Sequence, residues 1–144
     1  MNNRQNKYRY YIGIDSGTKT GYAMWDSKEK RFLMIESMKI HVAMENIRML
    51  EREYLDQLFI RVEDARKRTW FGNAGGEKLQ GAGSVKRDAT IWEDFLMDIG
   101  ANFQMVAPKN NKTKLDAENF KKITKWEFPT NEHGRDAAML VFGM

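Results

Sequence analysis

The 144-residue sequence contains no cysteine and only two prolines. No stretch of it approaches the roughly 20 apolar residues that a membrane-spanning helix needs. Because cysteine is absent, disulfides and thiolate metal sites are excluded. The polar start over 1–7 lacks the apolar core of a signal peptide. We expect a cytoplasmic protein with no membrane partner.

Basic residues are unevenly distributed along the chain, which has a net charge of +4. Seven Lys or Arg residues accompany three acids between Arg61 and Arg87, and six lysines accompany two acids between Lys109 and Lys125. Clusters of this kind attract polyanions, of which nucleic acid is the commonest. The length and the 42% hydrophobic content are compatible with a single packed domain over 1–144.

Apolar periodicity predicts the element order βββαβαβαα, an α/β domain around a five-stranded sheet. The predicted strands cover 8–15, 21–26, 31–40, 58–62 and 101–107. The predicted helices cover 42–55, 84–99 and 113–126, with a last helix beginning near 130. The Thr113/Asp116 pair resembles a capping box at the third helix. The wide apolar face of helix 84–99, with Ile91 and Phe95, favours an interface as well as a core.

Residues 64–83 are predicted to form a long, basic, glycine-rich loop that carries Trp70 and Phe71 near its middle. Loops of this length in a compact domain are commonly functional. The aromatic pair is a candidate for unstacking or stacking bases. Lysines between the fifth strand and the third helix are candidates for phosphate contacts. The predicted nucleic-acid-binding residues are Arg66, Lys67, Arg68, Trp70, Phe71, Lys109, Lys112 and Lys114.

Three acids are expected to converge at one edge of the sheet. Asp15 ends the first strand and Glu63 ends the fourth, and helix 42–55 returns the chain so that the two strands can be neighbours. Asp136 lies early in the last helix, with His133 on the same face because the two are three residues apart. Grouped carboxylates repel unless a cation lies among them. Oxygen and imidazole ligands suit Mg²⁺ or Mn²⁺, and two such ions about 4 Å apart can drive phosphodiester cleavage.

These residues together resemble a known family. The strand Ile12-Gly13-Ile14-Asp15, the strand-end Glu63 and the run His133-Gly-Arg-Asp136-Ala-Ala are similar to the RuvC branch of the RNase H-like superfamily. That branch comprises Holliday junction resolvases, and this sequence most resembles the compact forms carried by phages and prophages. The resemblance implies an RNase H-like fold, with a five-stranded mixed sheet flanked by helices, in a bacterial or phage-infected cell.

The resemblance also implies an activity and a set of roles. It implies a Mg²⁺-dependent crossover junction endodeoxyribonuclease, a homodimer that nicks two strands of a four-way DNA junction symmetrically during DNA recombination. Asp15 would bridge two metal ions, Glu63 and Asp136 would complete the coordination, and His133 would be a ligand or a proton-transfer group. No organic cofactor is expected.

Several points stay open in the sequence. Asp64 lies beside Glu63, so either could face the site, although the family uses the position of Glu63. Trp70 and Phe71 come later than the family's aromatic wedge. The opening motif also resembles that of actin-like ATPases and sugar kinases, but those need two such lobes. A nuclease for flaps, forks or RNA–DNA hybrids is compatible with the same residues, and so is a non-catalytic domain that binds branched DNA.

Overall fold

A computed structural model describes residues 7–68, 76–109 and 114–144, with the backbone alone over 76–82. Its strands are β1 Tyr10–Asp15, β2 Lys19–Asp26, β3 Arg31–Lys39, β4 Leu58–Glu63 and β5 Phe103–Val106. Its helices are α1 Ile40–Tyr54, α2 Gly76–Asp98, α3 Ala117–Thr124 and α4 Glu132–Met139. The predicted element order is confirmed over the described residues.

The five strands form one mixed sheet in the order β3-β2-β1-β4-β5. The first three are antiparallel neighbours joined by short turns, whereas β4 and β5 run parallel to β1. Parallel neighbours need a crossover connection, which α1 supplies between β3 and β4 and α2 supplies between β4 and β5. The predicted five-stranded mixed sheet with flanking helices is therefore confirmed.

Each face of the sheet has its own apolar core, because successive strand residues point to opposite faces. On one face, Ile12, Ile14 and Ile60 pack with Ile47 of α1 and Trp92 of α2, all fully buried. The other face packs against α3 and α4. Its core is formed by Tyr11, Ala23, Trp25, Phe32, Ile35, Phe120, Ala137, Ala138, Leu140 and Val141.

Two strand glycines bring α4 unusually close to the sheet. A Cβ at Gly13 would overlap the carbonyl of Ala137, and a Cβ at Gly21 would overlap the carbonyl of His133. The small residues Ala137 and Ala138 of α4 are fully buried at this contact. Backbone-to-backbone contact thus sets the position of the helix, so that its first turn lies at the end of β1.

The prediction of a loop over 64–83 is wrong for its second half. Ala65–Lys67 form a short 3₁₀ turn, and α2 already begins at Gly76. Glu, Lys, Leu, Gln and Ala occupy 77–80 and 82, and these are strong helix formers, whereas each glycine costs only about 1 kcal/mol. Trp70, Phe71 and Lys112 lie outside the described residues, so their predicted roles stay predictions.

Smaller corrections concern the third helix. Asp116 is the N-cap of α3, since its carboxylate accepts a hydrogen bond from the Asn119 backbone N–H, and the helix ends at Thr124 rather than near Trp126. Thr113, the other half of the predicted capping box, lies outside the described residues. No described helix is long and apolar enough to cross a membrane.

Candidate active site

The parallel pairing of β1 and β4 places two acids side by side. Asp15 and Glu63 are register partners at the carboxyl ends of the two strands. Both side chains point to the face that α4 covers, the same face as Gly13 and Arg61. The Asp15 side chain is only 13% exposed. The structure therefore confirms that the ends of these two strands lie side by side, as predicted.

The pKa values of Asp15 and Glu63 are both raised. Burial is the largest cause for each, and the neighbouring Asp15 adds to the shift of Glu63, whose pKa rises to about 8. The negative charge of Asp136 raises both pKa values further. Ionisation of both acids is unfavourable because their negative charges repel and are poorly solvated. The site therefore favours binding either a proton or a cation.

His133 reaches the site from the first turn of α4. Its Nδ1 lies 3.2 Å from Oδ2 of Asp15. The helix start is fixed by Asn131, whose side-chain oxygen accepts from the Gly134 N–H at 2.8 Å while its amide donates to Ser37 Oγ at 2.6 Å. Asn131 thus ties α4 to the edge strand β3. Sequence reasoning placed the helix start here but did not find this second contact.

Asp136 lies one turn further along α4 and is paired with a lysine. Lys114 Nζ donates to Asp136 Oδ2 at 2.9 Å, and the Asp136 side chain is 14% exposed. The predicted phosphate contact of Lys114 stays a prediction. In the structure its ammonium is hydrogen-bonded to Asp136, one of the predicted metal ligands.

Asp64 points away from this site, which answers the ambiguity of the adjacent acids. Its side chain is 1% exposed and receives two hydrogen bonds of 2.8 Å from the guanidinium of Arg66. Arg66 also pairs with Glu93 of α2 at 3.3 Å. The contact with Arg66 lowers the pKa of Asp64. The guanidinium of Arg66 is thus paired with two carboxylates, and its predicted contact with nucleic acid stays a prediction.

The acids open into a cleft of about 360 Å³. Arg68 lines this cleft, Lys109 lines an adjoining hollow, and Lys67 donates a hydrogen bond to the Met105 carbonyl. The predicted nucleic-acid contacts of these three residues stay predictions. Sequence reasoning missed several further residues of the cleft. They include Ser16, Gly17 and Thr18 of the β1–β2 turn, Lys19 at the start of β2 and Glu132 of α4. Their position directly after Asp15 or before His133 was the available signal.

The donor set fits a hard divalent cation. Asp15 and Glu63 offer carboxylate oxygens that are buried together, and His133 adds an imidazole in contact with Asp15. Among the described residues, however, no three His, Asp or Glu side chains already form a group that could hold one ion. Asp136, which was predicted to be a further ligand, is hydrogen-bonded to Lys114.

The fold is similar to that of a protein in a solved complex. No model of a known protein family matches the sequence. No curated protein matches it either. Among solved structures, T. thermophilus RuvC in complex with Holliday junction substrate superposes with a TM-score of 0.56 at 16% sequence identity. The match covers 90% of this chain and 88% of that one. The chain therefore has the RNase H-like fold of RuvC.

Proposed function

We propose that this protein is a metal-dependent endonuclease that resolves four-way DNA junctions by paired, symmetric nicks as a homodimer. The observation that carries the proposal is the register pairing of Asp15 with Glu63, closed by His133 and Asp136 of α4. Acids of raised pKa gathered at a cleft are typical of functional sites.

The chemistry would be phosphodiester hydrolysis. Asp15, Glu63 and Asp136, with His133, would hold Mg²⁺ or Mn²⁺, two ions per site. When bound, such ions would activate water for attack and would neutralise the charge that develops at the leaving oxygen. The protein's own contribution is to keep the carboxylates rigid on two hydrogen-bonded strands. His133, with half of its side chain exposed to the cleft, is placed to accept or deliver a proton.

DNA as the substrate class is supported by charge and by the fold. Lys19, Arg68 and Lys114 line the cleft, and Lys109 lies in the adjoining hollow. Contacts from such residues to phosphates make binding strongly salt-dependent. A RuvC of the same fold was solved with a Holliday junction. The phage or prophage type implied by the sequence resemblance stays a prediction.

A homodimer would supply the two active sites that paired nicks require. Exposed apolar residues on α2 support an interface on that helix: the side chains of Ile91 and Met97 are 43% and 64% exposed. Sedimentation of the protein with and without junction DNA measures the oligomeric state. A protein that stays monomeric on a junction would contradict the paired-nick mechanism while leaving the metal site intact.

The test is cleavage of end-labelled substrates with Mg²⁺, Mn²⁺ or EDTA. The panel contains a four-way junction, a flap, a fork, an RNA–DNA hybrid and a linear duplex. We expect paired, religatable nicks in the junction that require metal and disappear in Asp15→Asn. Cutting spread over flaps and forks, or confined to the hybrid, would keep the metal site and replace the junction by another substrate.

The matched control is Asp56→Asn. Asp56 is an exposed aspartate at the opposite end of β4, so its replacement removes the same charge without touching the cleft. Cleavage by this variant should equal that of the unmodified protein. DNA binding retained by Asp15→Asn would separate loss of catalysis from loss of folding. Absence of any metal-dependent cleavage would contradict the proposed activity.

A further inference from the structure

Lys114 is the basic residue of the cleft that bonds directly to one of its acids. Its ammonium bonds to Asp136 at 2.9 Å, and only 30% of its side chain is exposed. Lys114 also lines the same cleft as Asp15 and Glu63, so its ammonium lies among all three acids that are the predicted metal ligands.

The backbone beside Lys114 is anchored to α4. Arg135 Nε donates to the carbonyl of Leu115 at 3.2 Å, while its NH1 donates to the carbonyl of Thr130 at 2.9 Å. Because Leu115 directly follows Lys114, this arginine holds the lysine-bearing segment against the helix that carries Asp136. Arg135 therefore helps to keep Lys114 within hydrogen-bond distance of Asp136.

Other basic residues of the cleft do not share this arrangement. Lys19 and Arg68 line the same cleft, yet in the described part of the chain neither bonds to Asp15, Glu63 or Asp136. Lys19 is also exposed. Lys114 therefore differs from Lys19 and Arg68 because it bonds to Asp136, a predicted metal ligand, whereas all three residues line the cleft.

We propose that Lys114 is an internal counter-ion of the carboxylate cluster, which must release Asp136 before a divalent cation can use it. This inference rests on the metal site of the proposed function. An ammonium and a divalent ion compete for the same oxygen atoms and repel each other at short range. Lys114 therefore weakens metal binding in the free protein, and once displaced it lies beside the carboxylates as a positive charge available to a DNA phosphate.

The test is the affinity for Mn²⁺ in the absence of DNA, measured by calorimetry or by electron paramagnetic resonance. Lys114→Gln should bind Mn²⁺ at least about tenfold more tightly than the unmodified protein. A tenfold change in affinity corresponds to about 1.4 kcal/mol, and the repulsion between unit charges about 4 Å apart in a partly exposed site exceeds that value. Lys114→Arg keeps the charge and should bind Mn²⁺ as the unmodified protein does. Lys19→Gln removes one charge from the same cleft and should change the affinity by less than about twofold, as expected of an exposed, screened charge.

The outcomes separate this inference from the proposed function. Equal or weaker Mn²⁺ binding by Lys114→Gln, in a protein whose binding is lost in Asp15→Asn, would overturn the counter-ion role and leave the metal site standing. The same tightening in Lys114→Arg or Lys19→Gln would also overturn it, since competition at Asp136 would not be the cause. Absence of Asp15-dependent binding in every variant would overturn the metal site and this inference together.

Discussion

Glu63 and Asp64 are consecutive acids at the end of one strand, and they differ in almost every physical respect. Glu63 points to the α4 face, where burial and Asp15 raise its pKa. Asp64 points to the α2 face, where Arg66 binds it bidentately and lowers its pKa. One acid has an arginine as its partner, and the other has a second acid.

The two faces of the sheet explain this difference. The α2 face supplies side chains, Arg66 and Glu93, that complete an ion-pair network around Asp64. On the α4 face the helix approaches through its backbone, over Gly13 and Gly21, and brings further acid and imidazole instead of an arginine. A carboxylate with a satisfied partner is structural, whereas one kept among like charges is available to bind a cation.

Replacement of Glu63 should have the largest effect, and it should fall on activity. Glu63→Gln is expected to reduce metal-dependent cleavage about a thousandfold, because a lost metal ligand removes several kcal/mol of transition-state stabilisation. Initial rates on labelled junction measure it. The matched control, Glu53→Gln, changes an exposed glutamate of α1 and should cleave normally. Equal rates for the two variants would break the distinction between the faces.

Replacement of Gly21 tests the close approach of α4. Gly21→Ala should destabilise the protein by about 3 kcal/mol, because the added Cβ overlaps the His133 carbonyl and the helix must move. Urea denaturation followed by circular dichroism measures the change. Gly83→Ala is the control on α2, where an added Cβ meets nothing, so it should be neutral or slightly stabilising. A harmless Gly21→Ala would show that α4 is not held by backbone contact.

Replacement of Asp64 should act on stability and spare catalysis. Asp64→Asn is expected to lower the free energy of unfolding by about 2 kcal/mol, a value reduced because Arg66 is partly exposed to solvent. Cleavage per folded molecule should be unchanged. Thermal unfolding and cleavage are measured on the same preparation. Loss of cleavage at full stability would assign Asp64, rather than Glu63, to the site.

The smallest expected effect is a pH dependence of opposite sign for the two acids. A carboxyl group whose pKa is raised on folding contributes stability at low pH and loses it as pH rises through the folded pKa. Glu63 should therefore lower the Tm of the metal-free protein as the pH rises from about 5 to about 9. Asp64, with its lowered pKa, contributes stability above about pH 4 that is lost on further acidification.

Thermal unfolding in EDTA across this range measures the first effect, with Glu63→Gln as the control that should flatten the curve. Excess Mg²⁺ should also restore the Tm at high pH, because a bound cation would offset the repulsion between the two ionised carboxylates. A metal-free Tm that is independent of pH would argue that Asp15 and Glu63 are not coupled as described.

Much of the arrangement was predictable from local patterns. The strand-end acids Asp15 and Glu63 came together because a single helical crossover makes their strands parallel neighbours. His133 and Asp136 followed from helical spacing. These predictions depended on periodicity and connection rules, which sequence carries directly.

The partners of the charged residues were not predictable in the same way. Arg66 lies in a basic run, and only the packing of α2 shows that Asp64 and Glu93 balance it. Lys114 lies among lysines of similar appearance, and only tertiary contact selects it for Asp136. The glycines of α2 suggested a loop, although strong helix formers lie between them and the segment is helical. Gly13 and Gly21 gave no signal of their backbone contact with α4.

The central claim is that the pair Asp15 and Glu63 binds a divalent cation that Asp64 does not. The most direct measurement is an anomalous difference map from crystals grown with Mn²⁺. We predict a peak contacted by both Asp15 and Glu63, with Asp64 still bonded to Arg66. A map with no peak at these carboxylates under saturating Mn²⁺, or with the ion at Asp64, would contradict the account.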